Sequence, residues 1–209
     1  DAHNLNIVDS GYTMHYMPDL TSAALKKNMQ DGGFFAASKY VGNYDELVNL
    51  CKELKDIGSA DALALATTLD DIIVRSEADM ADGGSGHKYE APEGAARPLF
   101  TNVTVNEGED TITLEAENAL VVHWIADGKV IHVGNTIDLD DYSDEIRNYV
   151  RAEAYGTGGV MYTQPFALEY KGAPRGGDFD SFFDWGKFAT AICDTPVRAL
   201  NLIIVLFDL

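Results

Sequence analysis

The stretch LVVHWIADGKVIHVG, residues 120–134, decides the fold class of the C-terminal half of the chain. Its apolar residues alternate with polar ones, and Asp127 and Gly128 interrupt the alternation. Alternation with a period of two is typical of strands with one buried face, and an Asp-Gly pair is typical of a turn. The stretch therefore predicts short β-strands, one of which contains Trp124.

The same pattern surrounds this stretch from Leu99 onwards. In TITLEAE, residues 111–117, the side chains of Ile112, Leu114 and Ala116 face one way, and the intervening polar side chains face the other. Six or seven such strands within about 75 residues favour a β-sandwich.

Two residues make the sandwich prediction more specific. Trp124 lies in the third strand, where immunoglobulin-like domains have a core tryptophan, and Tyr149 lies at the start of the sixth, where they have a tyrosine corner. We expect Trp124 to be buried between two sheets and the Tyr149 hydroxyl to bond to backbone a few residues upstream. Arg151 stands where an antibody domain has its second cysteine, so the predicted sandwich has no disulfide.

The N-terminal half begins with a strand, a helix and a strand. GYTMHYMPD, residues 11–19, alternates and predicts the first strand, and FFAASKYVG, residues 34–42, predicts the second. Between them Thr21 is placed to cap a helix, and Gly32 or Gly33 is placed to end it.

A helical hairpin is predicted over residues 44–82. Two apolar stripes recur at helical spacing, and Asn43 and Ser59 precede them as caps. Glu46 lies three residues after Asn43, which is the spacing of a capping box. The segment 83–98 follows with the glycine, serine and proline content of a linker, so we expect a domain boundary there. Within it, we expect residues 83–96 to be the most mobile and protease-sensitive part of the chain.

Composition excludes several classes of function. The formal net charge of -19 repels phosphate backbones and anionic lipids, so we expect neither nucleic-acid nor membrane binding. The apolar run at 202–207 is far shorter than the roughly 20 residues of a membrane span. Cys51 and Cys193 have no CxxC spacing and predict buried thiols rather than a zinc site or disulfide framework. These features favour a cytoplasmic location.

The first four residues, DAHN, carry the strongest functional signal. Asp1 and His3 form an Asp-x-His motif, which resembles the last metal-binding motif of the PHP superfamily, named for its polymerase and histidinol phosphatase members. The following LTSAALKKNMQDGGFFAASKY is similar to the helix, glycine and aromatic strand that close the barrel in that family. Residues 119–170, with YTQPF in the last strand, resemble the immunoglobulin-like domain appended to some PHP-type phosphoesterases.

The resemblance implies a metal-dependent phosphoesterase. In that family an α/β barrel holds two or three divalent ions (Mn, Zn, Fe or Mg), which polarise a phosphoryl oxygen and activate the attacking water. It further implies that Asp1 and His3 are metal ligands and that the substrate is a small phosphoester. The earlier His-x-His, Glu and His motifs of the family are absent from this sequence. We therefore expect a C-terminal fragment, cut within its last metal motif and inactive alone, and a missing N-terminus leaves a secreted location open.

The predicted fold class is α+β. Residues 1–43 are expected to be an α/β remnant of a PHP barrel, 44–82 the helical hairpin, 83–98 the linker and 99–171 an immunoglobulin-like antiparallel sandwich. Residues 172–209 are expected to be a tail that packs on the rest. A homo-oligomer is a possible assembly.

Two alternatives stay open at this point. The chain could be a non-catalytic immunoglobulin-like binding module, in which exposed aromatic side chains (Tyr155, Tyr162 and Trp185) contact a carbohydrate or a protein. The acidic stretch 138–145 could be a calcium loop, but it lacks the glycine and bidentate glutamate spacing of an EF-hand, which favours a solvated turn.

Overall fold

The computed structural model describes residues 10–168, which belong to one compact unit. These residues are α+β, as predicted for the chain, with three α-helices and mostly antiparallel strands among them. The helices are α1 (Ser22–Asp31), α2 (Tyr44–Ile57) and α3 (Ala60–Ala81), and a 3-10 turn covers Asp140–Tyr142. The strands are β1 (Gly11–His15), β2 (Phe34–Ser38), β3 (Tyr40–Val41), β4 (Tyr89–Glu90), β5 (Leu99–Asn106), β6 (Thr111–Glu117), β7 (Val121–Ala126), β8 (Lys129–Val133), β9 (Thr136–Asp138), β10 (Tyr149–Gly156), β11 (Gly159–Tyr162) and β12 (Phe166–Ala167).

The predicted caps determine where the helices begin and end. The side chains of Thr21, Asn43 and Ser59 each accept a hydrogen bond from the backbone N–H three residues later. Gly32 and Gly58 end α1 and α2 in the left-handed conformation, with φ of 71° and 68°. The caps confirm the predicted starts of the three helices and the predicted end of α1, because a cap satisfies backbone groups that the helix itself leaves unpaired.

Strands from both halves of the chain form the larger sheet. Its order is β1-β2-β11-β10-β7-β8, and β12 pairs with β10. A smaller sheet has the order β5-β6-β9, and β3 pairs only with β4. All these pairs are antiparallel, including β1 with β2 and β2 with β11.

The two faces of the larger sheet have different coverings. One face contacts the smaller sheet through a hydrophobic cluster that includes Trp124, Phe100 and Ile137. The other face contacts the α2–α3 hairpin through a second cluster, in which Leu47, Leu54 and other apolar side chains of the hairpin meet strand residues (Val121, Tyr155 and Val160). Alternation along each strand sends successive side chains to these two cores.

The structure differs from the predicted domain division. Residues 1–43 were expected to be a barrel remnant separate from the sandwich, but β2 pairs directly with β11, from Val160↔Ser38 to Tyr162↔Ala36. The sequence pattern locates the strands but does not say which strands pair, because pairing depends on contacts between residues distant in the chain.

The segment 83–98 also differs from the expectation of a free linker. Tyr89 is buried and its hydroxyl donates to the Thr157 carbonyl oxygen at 2.7 Å, while the Ala91 N–H donates to the Lys39 carbonyl oxygen at 2.8 Å. The Arg97 guanidinium lies 4.3 Å from the centre of the Tyr12 ring. The segment 83–98 therefore packs against the rest of one compact unit and does not separate two domains. The tail 172–209 lies outside the described residues.

Candidate functional site

The predicted metal ligands Asp1 and His3 lie outside the described residues. Within residues 10–168, no group of three or more His, Cys, Asp or Glu side chains is arranged to hold a metal ion. The acidic stretch 138–145 contains the 3-10 turn, and the Asp138 carboxylate accepts from the Asp140 N–H at 3.1 Å, an ordinary Asx-turn contact. In the described part of the chain, the residues present do not make a metal centre.

Trp124 has the predicted environment. Its side chain is fully buried in the core between the larger and the smaller sheet. The indole N–H donates to the Gly134 carbonyl oxygen at 2.9 Å, so its polar atom has a partner as buried polar groups require.

Tyr149 is at the predicted start of β10 but lacks the predicted contact. It is half-buried, and its hydroxyl forms no hydrogen bond with any residue in the range 10–168. Its backbone pairs with Ala167 of β12. A phenol that is half-exposed can bond to water, so the fold does not require the tyrosine-corner hydrogen bond.

The most unusual chemistry lies between α2 and the larger sheet. We call it the polar cluster; it is formed by two helix residues (Glu46 and Glu53) and five strand residues (His123, Arg151, Glu153, Tyr155 and Tyr162). His123 and Glu153 are 2% and 7% exposed, which is rare for such groups.

Strand register brings the cluster together. His123 of β7 and Tyr162 of β11 are both cross-strand partners of Glu153 on β10. Tyr155 lies two residues further along β10, and side chains two apart share a face. On α2, Glu46 and Glu53 are seven residues apart, which is two helical turns and places them on one side, about 10 Å apart along the axis.

Each acidic group of the cluster has a partner. His123 Nε2 lies 2.5 Å from Glu53 Oε2, and the Arg151 guanidinium bonds to one oxygen of Glu153. The Tyr155 hydroxyl contacts Glu46 Oε1 at 2.7 Å and also the second oxygen of Glu153. Among the described residues, no buried side-chain nitrogen or oxygen lacks a hydrogen-bond partner.

Electrostatics keeps both phenols of the cluster protonated. Burial raises the pKa of Tyr155 far above its usual value, and the neighbouring Glu153 and Glu46 raise it further. Burial, together with the same two carboxylates, raises the pKa of Tyr162 to about 12, although Arg151 opposes the shift. Both side chains therefore keep their phenolic hydrogen throughout the neutral range.

Gly42 makes room for the Glu46 carboxylate. Its φ is 52°, and an added Cβ would lie 2.4 Å from Glu46 Oε2. Glu46 was predicted to complete a capping box, and its N–H does bond to Asn43, but its carboxylate reaches the Tyr155 hydroxyl of the sheet. The Glu46 carboxylate thus makes a contact with the sheet instead of the local bond that a capping box would have.

The sequence contained a signal for this cluster that is clear only with the structure. Arg151, Glu153 and Tyr155 occupy alternate positions of one strand, so they face the same way. An alternating pattern taken alone assigns the face with these three side chains to solvent. The prediction that Tyr155 is an exposed binding aromatic is wrong, because this residue is 1% exposed. Tyr162 is partly buried, and Trp185 lies outside the described residues.

Cys51 is a buried free thiol, as the sequence predicts. Its Sγ lies 3.4 Å from the Ala66 carbonyl oxygen and 3.3 Å from Asp70 Oδ1. Burial raises the pKa of this thiol, and the Asp70 carboxylate raises it further. The thiolate is the reactive form, so the environment makes Cys51 a poor nucleophile.

We expect this thiol to react slowly with a thiol reagent while the chain is folded. In a Cys193→Ser variant, which leaves Cys51 as the single thiol, labelling by an aromatic disulfide at neutral pH should be much slower in buffer than in urea. Equal rates in the two solvents would contradict the buried environment. The reaction is followed by the absorbance of the released thiolate.

Comparison with protein-family models, with curated proteins and with solved structures found no match to this chain. Within residues 10–168, no helix combines the length and apolar character that crossing a membrane requires.

Proposed function

We propose that this chain is the C-terminal part of a metal-dependent phosphoesterase resembling the PHP superfamily, with an immunoglobulin-like accessory module formed around residues 99–168. Asp1 and His3 are its proposed contribution to the metal ligands. The ions of such an enzyme would activate water for attack on a small phosphoester, and the further ligands are proposed to lie upstream.

Strand order is the observation that supports the module. An immunoglobulin-like domain has its first, second and fifth strands (A, B and E) in one sheet, and its third, sixth and seventh strands (C, F and G) in the other. Here β5, β6 and β9 form one sheet, while β7, β10 and β11 lie together in the other, with β8 as an additional strand beside β7. Trp124 on β7 occupies the position of the core tryptophan.

Position in the chain supports the link to a phosphoesterase. Seven residues, 4–10, separate His3 from the start of β1, and after β1 the helix α1 and the strand β2 follow in the order that the resemblance implies. Because β2 also pairs with β11, the segment after the metal motif is part of the module's larger sheet. The proposed accessory module is thus joined to the proposed metal motif without an intervening domain.

The test compares the full-length protein with variants of the motif. We expect hydrolysis of a generic phosphoester in the presence of manganese, and loss of most of that activity on Asp1→Ala or His3→Ala, because each ion needs its complete ligand set. His87→Ala, which changes an exposed loop histidine, is the matched control and should retain activity. The 209-residue chain alone should show no metal-dependent turnover.

Two results of this assay would contradict the proposal. One is full activity of both motif variants, and the other is chelator-sensitive turnover by the 209-residue chain itself. A coding sequence upstream of Asp1 without His-x-His and further His and Glu motifs would also contradict it.

A non-catalytic interaction module is the second candidate, and α1 favours it. The only buried residue of that helix is Asn28, while Leu25 and Met29 are exposed and the adjoining Leu20 is 96% exposed. Exposed apolar side chains in one region are typical of contact surfaces. Full-length protein without any phosphoesterase activity would favour this candidate.

A further inference from the structure

We propose that Asn102 is the acceptor site of an N-linked glycan, carried on the outer face of strand β5. The proposal does not depend on the phosphoesterase function. Asn102, Val103 and Thr104 form the acceptor motif, in which serine or threonine follows asparagine by two positions and proline does not stand between them. No other asparagine in the 209-residue sequence has a serine or threonine two positions later.

A β-bulge turns Asn102 towards solvent. Phe100 is buried and pairs with Ala116. The register then shifts, and Asn102 pairs with Glu115. Strict alternation from Phe100 would point Asn102 into the core and Val103 outwards. The bulge reverses this assignment, because Val103 packs against the core between the two sheets while Asn102 is exposed.

The threonine of the motif lies beside the amide that would be modified. Asn102 and Thr104 are two residues apart on the strand, so their side chains share one face, and both are exposed. The Asn102 amide nitrogen donates to Thr104 Oγ1 at 3.4 Å and to Glu115 Oε1 at 3.5 Å. Both distances exceed the usual range for such hydrogen bonds. Attachment of a sugar to this nitrogen therefore disrupts no strong contact of the fold.

The position of β5 in the smaller sheet gives a glycan there a physical role. The strand is eight residues long, lies at the edge of the sheet and pairs with no described strand other than β6. Its eight side chains carry no charge, although the whole chain has a formal net charge of -19. Apart from the bulge, β5 lacks the charged residues and prolines that commonly protect an edge strand from pairing with another chain. A bulky, hydrated glycan would supply that protection.

The transfer needs a sugar donor, which is an oligosaccharide linked through pyrophosphate to a lipid. The Asn102 side-chain nitrogen would bond to the anomeric carbon of the first sugar, and the bond from that carbon to the pyrophosphate oxygen would break. The amide would lose one proton to a base of the transferase, and the lipid pyrophosphate would leave with the bonding electrons. Since this modification is typical of secreted proteins, a filled site would assign the chain to an exported location.

The experiment produces the 209-residue chain behind a cleavable secretion signal in cultured animal cells. Mass spectrometry of the secreted chain should show one glycan, and a peptide N-glycosidase should remove it and leave an aspartate in place of Asn102. Asn102→Gln and Thr104→Ala should each abolish the modification, whereas Thr104→Ser keeps the hydroxyl of the motif and should retain it. Asn106→Gln is the matched control, because Asn106 is exposed on the same strand but has Gly108 two positions later, and this variant should keep the glycan.

The protein isolated from the organism that makes it should carry the same modification at Asn102. A secreted wild-type chain without a glycan would overturn the proposal, as would an unmodified Asn102 in the native protein or a glycan that persists in Thr104→Ala. If the chain is not secreted, cell-free translation with microsomes gives the same readout on the translocated chain.

Sedimentation velocity tests the protective role of the glycan separately. The enzymatically deglycosylated chain should self-associate more than the glycosylated chain at equal concentration, because the β5 edge is then uncovered. Equal association of the two forms would overturn that role.

Discussion

Replacing Trp124 with alanine is expected to lower the free energy of unfolding by about 3 to 5 kcal/mol. The Trp124 side chain is fully buried between the two sheets. Its removal therefore leaves a cavity that is closed to solvent. The variant also leaves the Gly134 carbonyl oxygen without its 2.9 Å hydrogen bond from the indole. The cost therefore combines lost apolar burial, a cavity and an unpaired acceptor.

Urea unfolding followed by far-ultraviolet circular dichroism measures this effect without relying on the deleted fluorophore. Val130→Ala is the matched control, because Val130 lies on β8 of the same sheet but is exposed. That variant should change stability by no more than about 0.5 kcal/mol. Equal losses for the two variants would show that Trp124 is not a core residue.

Replacing Gly159 with alanine is expected to cost about 3 kcal/mol or more. Gly159 has φ of 107°, where side chains are strained, and an added Cβ would lie 2.1 Å from the Ser38 carbonyl oxygen. That oxygen belongs to the backbone of β2, so it cannot move away as a flexible side chain could. The substitution should therefore separate β2 from β11 and disrupt the larger sheet.

Gly94→Ala distinguishes the two causes of this loss. Gly94 also has a positive φ of 77°, but nothing lies within 4 Å of the added Cβ. Backbone strain alone should cost about 1 kcal/mol in that variant. The two variants are compared by thermal and urea unfolding, and a loss at Gly159 no larger than at Gly94 would refute the close β2–β11 approach.

The polar cluster illustrates why a site can be missed in a sequence. His123 stands between two apolar residues in the sequence, Val122 and Trp124, yet Glu53, 70 residues earlier, lies 2.5 Å from it. Glu46 and Glu53 flank an apolar helical stripe and look like solvated residues in isolation. Only the packing of α2 on the larger sheet brings these separate polar positions into one connected cluster.

The Asp-x-His motif illustrates the converse. Asp1 and His3 suggest metal chemistry through a resemblance, and residues 10–168 contain no group of three or more His, Cys, Asp or Glu side chains that could hold a metal ion. The strand order of the two sheets bears on the accessory module only. The proposed activity is therefore tested only by the assay of the full-length protein.

Local chemistry in the sequence determined the elements of this protein. Thr21, Asn43 and Ser59 begin the helices and Gly32 and Gly58 end two of them, because a cap acts on backbone groups within a few residues. The period-two alternation likewise located Trp124 in a buried strand.

The tertiary structure alone decided which strands are neighbours and which polar groups are buried. The Gln164 side chain bonds to the Phe34 carbonyl oxygen across 130 residues, and the same sheet joins β2 to β11. Alternation marks two faces of a strand but does not say what covers either one. The α2–α3 hairpin covers the face with Glu153 and Tyr155, and the free-energy cost of burying those groups makes their mutual contacts obligatory.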